Sequence, residues 1–197
     1  MKYENFGEVH IPAGEVSVTG NLAIPVGAAG LVVFAHGSGS SRLSSRNKAV
    51  AVYLQEKGFG TLLFDLLTPQ EDMEYANRFD IHRLAERLIA ATNWLIYAGY
   101  ADNKRIGFFG ASTGAAAALM AAAKMPRVAA VVSRGGRPDL AGESLRQVTV
   151  PVLLIVGGMD DTVLQLNREA YRQLPGVKQL SVVEGATHLF EEAGKMQ

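Results

Sequence analysis

A serine between two glycines is the residue of this sequence best placed to do chemistry. The segment Gly110-Ala111-Ser112-Thr113-Gly114 follows a short apolar run, Arg105–Phe109, and precedes an alanine-rich stretch that favours a helix. A G-x-S-x-G sequence at a strand-to-helix turn presents the serine hydroxyl at the edge of a sheet, and its glycines let helix and strand approach closely. The pattern predicts Ser112 as a nucleophile, and a structural serine in a tight turn is the alternative.

A serine hydroxyl becomes an effective nucleophile when a base accepts its proton and an acid orients that base. On a turn of this kind, the partners follow along the chain in the order serine, acid, histidine. Of the four histidines, only His188 comes after Ser112, in a turn that follows the last apolar run. The order therefore predicts His188 as the base, with an ordinary surface histidine as the alternative.

Two adjacent aspartates are candidates for the acid. Asp160 and Asp161 follow the apolar run Val152–Val156 after a pair of glycines. Sites in open α/β sheets form at the carboxyl ends of the strands, which is where this loop would lie. Asp160, three residues after Gly157, is preferred as the orienting acid, and Asp161 is expected to cap the next helix.

A turn upstream of the serine could supply backbone donors. The sequence His36-Gly37-Ser38-Gly39-Ser40 follows the run Leu31–Ala35 and exposes backbone N–H groups. The N–H of Ser38 could join that of Thr113 around the oxygen that becomes negative during acyl transfer. Alone, such a sequence indicates only a flexible turn, and its position before Ser112 is what favours an oxyanion hole.

Four arginines near the same edge could bind an anionic group of a substrate. Arg134 and Arg137 follow a predicted strand, and Arg42 and Arg46 lie near the Ser38 turn. Guanidinium groups bind carboxylates and phosphates as planar forks. The alternative is that these side chains pair with surface acids such as Asp139.

All these residues require a sheet that brings them to one edge. Short runs rich in Val, Leu, Ile and Phe alternate with amphipathic segments, which is typical of a parallel sheet, and the first two predicted strands look antiparallel. The predicted strands are Phe6–Ile11, Glu15–Ile24, Leu31–Ala35, Thr61–Leu66, Arg105–Phe109, Val128–Ser133, Val152–Val156 and Gln179–Val183. The predicted helices are Arg46–Lys57, Phe79–Tyr97, Ser112–Met125, Leu140–Arg146 and Val163–Leu174. The fold class is therefore α/β, with a mostly parallel eight-stranded sheet and helices on both faces.

Composition excludes several classes of protein. The chain has 197 residues, of which 48% are hydrophobic, so it is expected to fold as one domain. Its 19 basic and 19 acidic residues balance, which argues against a nucleic-acid or membrane partner. It has no cysteine, and neither a metal nor another cofactor is expected. Without a signal peptide or an apolar stretch of ~18 residues, the protein is expected to be cytoplasmic.

Together, the motifs resemble the α/β-hydrolase superfamily, and within it the dienelactone-hydrolase-like group of small serine esterases without a cap domain. The resemblance extends over essentially the whole chain and rests on His36–Arg42, Asp65–Thr68, Gly110–Gly114, Ser133–Asp139, Gly157–Asp160 and Gly185–Phe190. It implies a single domain over residues 1–197 and a small-molecule ester substrate cleaved through an acyl-enzyme. Ser112, His188 and Asp160 would form the triad, with Ser38 and Thr113 as oxyanion donors. Thioesterase, lactonase, amidase or acyltransferase activity stays open, as does a non-catalytic ligand-binding role.

The chain departs from the family pattern at two places. Dienelactone hydrolases proper carry a cysteine at the position of Ser112, which puts lactone specificity in question. Family members also continue past the histidine loop into a closing helix, whereas this chain ends at Gln197, so a short or truncated helix is expected. An apolar face left uncovered there could hold a partner, and a homodimer stays open. The interval Val132–Asp139 is too short for a cap, so an open site that prefers short acyl groups is expected.

Overall fold

Eight strands form one sheet in the order β1-β2-β4-β3-β5-β6-β7-β8. The computed structural model describes residues 1–195, and its strands are β1 (Tyr3–Ala13), β2 (Val16–Pro25), β3 (Gly30–Ala35), β4 (Phe59–Phe64), β5 (Arg105–Ala111), β6 (Val128–Arg134), β7 (Val152–Gly157) and β8 (Lys178–Val183). β1 pairs with β2 and β2 with β4 in antiparallel fashion, and every pairing from β4 to β8 is parallel. The predicted mostly parallel sheet of eight strands is confirmed.

Helices cover both faces of the sheet. They are α1 (Ser45–Glu56), α2 (Pro69–Asp72), α3 (Ile81–Tyr97), α4 (Thr113–Lys124) and α5 (Asp161–Gln173), with 3₁₀ segments at Tyr75–Phe79 and Pro138–Gln147. Consecutive strand residues point to opposite faces. Val33 therefore joins the larger core under α3 and α4, while Phe34 packs with Ala51 of α1 on the other side.

Helix α4, which follows the Gly110–Gly114 turn, owes its position to small side chains. From Ala115 to Ala118, α4 is entirely alanine, and each of these residues is fully buried. Alanine favours the helix and adds little bulk, so the helix axis lies close to the sheet. Helix α3 is held differently: its apolar stripe, spaced by three and four residues, is buried, and the Asp80 carboxylate caps it by accepting the N–H of Arg83.

The observed elements differ from the predicted ones at a few places. The segment Leu140–Arg146 was expected as an α-helix and instead lies within a 3₁₀ segment interrupted at Gly142, where φ is 52°. The sequence interpretation missed α2, although Thr68 and Glu71 form a capping box there. Beyond β8 the described chain forms turns up to Lys195, and the predicted closing helix falls partly on residues 196–197, which lie outside the described residues. None of the helices within residues 1–195 is both long enough and apolar enough to cross a bilayer.

Candidate active site

Ser112 occupies the sharp turn between β5 and α4 with a left-handed backbone, φ 51° and ψ −123°. Side-chain-bearing residues rarely adopt this conformation. The flanking glycines leave the room that the turn needs. A Cβ on Gly110 would lie 2.4 Å from the Ala115 Cα, and one on Gly114 would lie 2.2 Å from the Ala35 carbonyl oxygen. The predicted strand–turn–helix is therefore present, with its serine hydroxyl at the carboxyl edge of the sheet.

His188 and Asp160 lie in direct contact at the same edge. The Nδ1 atom of His188 is 2.7 Å from Oδ2 of Asp160, and the two side chains are 38% and 15% exposed. Because a carboxylate only accepts hydrogen bonds, Nδ1 carries the proton in this pair. In the neutral ring, Nε2 is then left as an acceptor. His188 can therefore accept a proton at Nε2.

The loops that carry these two residues are fastened to each other by their backbones. The N–H of Met159 donates to the Ala186 carbonyl at 2.9 Å, and that of Gly158 to the Val183 carbonyl at 2.8 Å. Gly157 permits this contact, since a Cβ there would lie 2.4 Å from the Ala186 carbonyl oxygen. Packing of the two loops fixes the Asp160–His188 pair independently of the pair's own hydrogen bond.

Asp161 is the first residue of α5 and is exposed. The expectation that it would cap this helix is wrong, because the N-cap position belongs to Asp160. The Asp160 side chain makes no capping hydrogen bond and contacts His188 instead. Asp160 thus occupies the N-cap position of α5, but its side chain contacts His188 instead of capping the helix.

Ser112 and His188 line one cleft of about 220 Å³, together with Gly37, Ser38 and Gly135. Within residues 1–195, no hydrogen bond joins the Ser112 hydroxyl to the His188 ring. Such contacts are commonly loose before substrate binds and tighten in the complex. The structure brings the three predicted triad residues to one place without closing the serine–histidine bond.

The two predicted oxyanion donors differ in their hydrogen bonding. The N–H of Ser38 donates to the Thr113 hydroxyl at 2.9 Å, so it does not simply face the cleft. The N–H of Thr113 lies at the first position of α4, where no partner exists within the helix. Gly37 lets the Ser38 loop lie against Ser112, because a Cβ at this position would lie 2.9 Å from the Ser112 Cβ. Ser38 can serve an oxyanion only by sharing or leaving its bond to Thr113.

Two of the predicted substrate-binding arginines form ion pairs away from the cleft. Arg42 contacts Asp65 at 2.6 Å and Glu8 at 3.0 Å, and its backbone N–H also donates to Asp65. Arg137 forms a two-pronged pair with Asp139 at 2.9 and 2.8 Å. Both therefore follow the alternative of pairing with an acid, and neither lines the cleft that holds Ser112.

Arg134, by contrast, lines the Ser112 cleft, as does Arg46. Its Nη2 donates to the Asn47 side-chain oxygen at 3.2 Å, and its guanidinium carbon lies 5.6 Å from the centre of the Phe109 ring. Burial, and secondly the charge of Arg46, lower the pKa of Arg134 to about 10. Asn47 was not singled out in the sequence, where a polar residue early in a helix gives no sign of being 97% buried.

His36 has a structural role at this edge of the sheet. Its Nε2 accepts the N–H of Leu66 at 3.1 Å, and its Nδ1 therefore donates to the Gly37 carbonyl at 3.0 Å. Burial lowers the pKa of His36 and favours this neutral form. The ring thus connects the ends of β3 and β4 beneath the Ser38 loop. Within residues 1–195, no group of three or more acidic or histidine side chains could hold a metal ion.

The sequence model of the dienelactone hydrolase family matches residues 18–196. The chain belongs to this family. A crystal structure of a dienelactone hydrolase from Anabaena variabilis is 50% identical, with a TM-score of 0.95 over 100% of this chain and 93% of that one. Est1E from Butyrivibrio proteoclasticus has a TM-score of 0.78 at 17% identity, over 94% of this chain and 92% of that chain, and shares the fold. The predicted α/β-hydrolase fold of the dienelactone hydrolase type is confirmed.

Two curated relatives carry a different kind of name. Proteins of Mycobacterium tuberculosis strains H37Rv and CDC 1551, each named "Putative phosphoribosyl transferase", are 59% identical to this chain over 192 residues. The match covers 96% of this chain and 43% of each relative. The chain thus spans less than half the length of these relatives, and the single-domain prediction concerns residues 1–197 alone.

Proposed function

We propose that this protein is a serine hydrolase that cleaves small carboxylic esters through an acyl-enzyme on Ser112. The observation that carries the proposal is the 2.7 Å contact between His188 Nδ1 and Asp160 Oδ2, at a cleft that Ser112 also lines. Membership of the dienelactone hydrolase family supports hydrolysis as the type of reaction. So does the likeness to a solved dienelactone hydrolase at 50% identity.

The reaction would proceed in two halves. In the first, Ser112 Oγ bonds to the ester carbonyl carbon while its proton passes to His188 Nε2. The tetrahedral intermediate then expels the alcohol oxygen, which takes that proton, and an acyl-serine remains. In the second, a water gives a proton to Nε2 and attacks the acyl carbon, and the second tetrahedral intermediate expels Ser112 Oγ, which takes that proton back from Nε2 as the acid is released. Asp160 keeps Nδ1 protonated and the ring in place throughout.

The negative oxygen of each intermediate would be held by backbone N–H groups. Thr113 offers the first, at the start of α4, where the helix dipole also favours negative charge. Ser38 offers the second once its N–H turns from the Thr113 hydroxyl, 2.9 Å away, towards the substrate. Loss of one such donor typically reduces kcat by ~10²–10³-fold.

The size of the cleft favours small substrates. Its volume of about 220 Å³ lies below the ~300–1,000 Å³ of sites for drug-sized ligands. Between β6 and β7 lies only the short 3₁₀ segment Pro138–Gln147, so no cap domain closes over the site in that interval. Long acyl chains would extend into water and gain little binding energy.

Thioesters, lactones and amides could enter the same acyl-enzyme pathway, and a panel of substrates separates them. The transferase named for the mycobacterial relatives is a property of proteins of which this chain matches 43%. The matched part is the part that the hydrolase family describes, since that model spans residues 18–196. We therefore propose hydrolysis rather than phosphoribosyl transfer for the present chain.

Labelling with a fluorophosphonate tests the proposal at the nucleophile. The probe should add one covalent group to Ser112, and Ser112→Ala should abolish both the adduct and hydrolysis of p-nitrophenyl acetate. Ser40→Ala is a matched control, because Ser40 lines the same cleft and this variant should keep the adduct. An adduct on another serine would overturn the assignment. Absence of both adduct and hydrolysis in the unmodified protein would favour the non-catalytic, ligand-binding alternative.

A further inference from the structure

A short loop after β6 contacts both Ser112 and His188. The loop consists of Gly135–Arg137, which we call the β6 loop. The Arg137 N–H donates to the Ser112 carbonyl oxygen at 3.0 Å. Gly135 lies against the backbone of the other residue, because a Cβ there would be 3.0 Å from the His188 carbonyl oxygen. The position of the β6 loop therefore affects the proposed nucleophile and the proposed base together.

The backbone of Ser112 depends on such support. Its φ of 51° and ψ of −123° are rarely adopted by residues with a side chain, and conformations of this kind persist only where surrounding contacts hold them. The Ser112 carbonyl accepts the N–H of Ala115, in the helix that it begins, and the N–H of Arg137. The second of these bonds lasts only while the β6 loop stays in place.

A buried amide on α5 holds the β6 loop. Asn167 is fully buried, and its Nδ2 donates to the Gly136 carbonyl oxygen at 2.9 Å and to the Val163 carbonyl oxygen at 2.8 Å. Because Val163 lies one turn earlier in the same helix, the amide joins the loop to α5. The N-cap of α5 is Asp160, the proposed orienting acid. Asn167 thus connects the helix that carries the acid to the β6 loop.

Burial alone does not favour an asparagine at this place. Asn167 shares the buried face of α5 with Val163, Leu164 and Ala170, a face on which helical spacing favours apolar side chains. Within residues 1–195 its Oδ1 accepts no hydrogen bond, and burial of an unpaired amide oxygen is unfavourable. The hydrogen bonds that Nδ2 donates are therefore what distinguishes Asn167 from a leucine of similar size.

We propose that Asn167 is a positioning residue for the reaction at Ser112, acting through the β6 loop. The inference rests on the proposed esterase function and adds a residue that, being fully buried, touches no substrate. Without the bond from Asn167, the loop is free to move away from the Ser112 carbonyl, and the serine hydroxyl loses its fixed direction. The consequence is a slower chemical step with little change in substrate binding.

Steady-state kinetics of two variants test this role. Asn167→Leu keeps the approximate size of the side chain and removes both donated bonds. Asn167→Ala is the second variant, because alanine favours a helix and cannot overpack the site if leucine impairs folding. Each should lower kcat for p-nitrophenyl acetate by about ten- to hundredfold, as expected for a misplacement of up to ~1 Å, and should leave KM within a few-fold.

Thr92→Val is the matched control for loss of a buried hydrogen bond. Thr92 is also fully buried, in α3, and its hydroxyl donates to the Leu88 carbonyl one turn earlier at 2.7 Å. This variant should have a lower melting temperature, as the Asn167 variants should, but should keep kcat within a few-fold. An unchanged kcat in the folded Asn167 variants, or an equal loss in Thr92→Val, would overturn the positioning role.

Amide hydrogen exchange tests the same role without turnover. In the Asn167 variants the Arg137 N–H should exchange at least about tenfold faster relative to the Val131 N–H, which donates to the Pro151 carbonyl at 2.9 Å. Global unfolding exposes both amides alike, so a general loss of stability cannot raise this ratio.

The two measurements separate this inference from the esterase proposal. If the exchange ratio rises as expected but the unmodified protein hydrolyses no ester, the esterase proposal fails and the role of Asn167 in holding the β6 loop stands. If esters are hydrolysed and the exchange ratio stays constant in the Asn167 variants, the positioning role fails and the esterase proposal stands.

Discussion

Replacing Gly157 by alanine should displace His188 without touching any reacting group. A Cβ at this position would lie 2.4 Å from the Ala186 carbonyl oxygen and 2.5 Å from that of Thr187, both in the loop that carries His188. Ordinary contacts of this kind begin near 3.4 Å, so the loop must retreat by roughly 1 Å. A misplacement of ~1 Å in an active site can lower the rate by ~10²-fold. We expect kcat/KM for p-nitrophenyl acetate to fall by about that factor.

The neighbouring glycine provides the control for this experiment. A Cβ on Gly158 would meet its nearest atom, the Val183 carbonyl oxygen, at 3.3 Å, which requires a shift of only a few tenths of an ångström. Gly158→Ala should therefore keep kcat/KM within a few-fold of the unmodified protein. Thermal unfolding of both variants checks the fold, because overpacking typically lowers stability by ~1–3 kcal/mol. Equal kcat/KM values for the two folded variants would refute the claim that loop packing positions His188.

Three further predictions follow from the site and its surroundings. Asp160→Asn should lower kcat by ~10³–10⁴-fold through loss of the correct His188 tautomer. Asp161→Asn, at an exposed position, should change kcat little, and equal losses in the two variants would contradict the assignment of Asp160 as the orienting acid. Burial lowers the pKa of His36, so the unfolded chain binds a proton more readily and stability should decline as pH falls below about 6.5. Urea unfolding between about pH 5 and 8 should show a smaller decline for His36→Gln, and an unchanged decline would remove His36 as the cause. Acetyl to butyryl esters should be hydrolysed faster than octanoyl esters, since an acyl chain in open solvent gains far less than ~0.8 kcal/mol per methylene, and a rate that rises through octanoate would contradict the open site.

Much of the fold follows from features that act over short stretches of the chain. The apolar run that predicted β3 is buried on both faces of the sheet, and the stripe of α3 recurs at helical spacing. The ends of elements were less predictable, because backbone conformation decides them. Gly142, with φ 52°, interrupts a segment whose side-chain pattern favours a helix. The start of α5 differs from expectation in the same way: Asp160 rather than Asp161 holds the N-cap position, although its side chain contacts His188 as expected of the orienting acid.

The order of residues along the chain predicted that Ser112, Asp160 and His188 would meet at the sheet edge. Contacts between other residues far apart in the sequence could not be predicted. Arg42 pairs with Asp65, 23 positions away, and Arg134 meets Asn47, 87 positions away. No periodicity connects such residues, since only the packing of strands and helices decides which acid or amide a given arginine meets. The contact of the Ser38 N–H with the Thr113 hydroxyl was missed for the same reason, because two separate loops meet there.

The left-handed backbone of Ser112 sets selection for a stable fold against selection for the serine hydroxyl. A glycine would adopt φ 51° and ψ −123° readily, whereas conformations of this kind destabilise other residues by ~1–3 kcal/mol. Ser112→Gly should therefore raise the melting temperature while it removes the hydroxyl. A lineage selected for folding alone would drift to glycine here, and only use of the hydroxyl would keep the serine. Natural homologues with a glycine at this turn and an intact sheet are then expected to have lost catalysis and to be more stable.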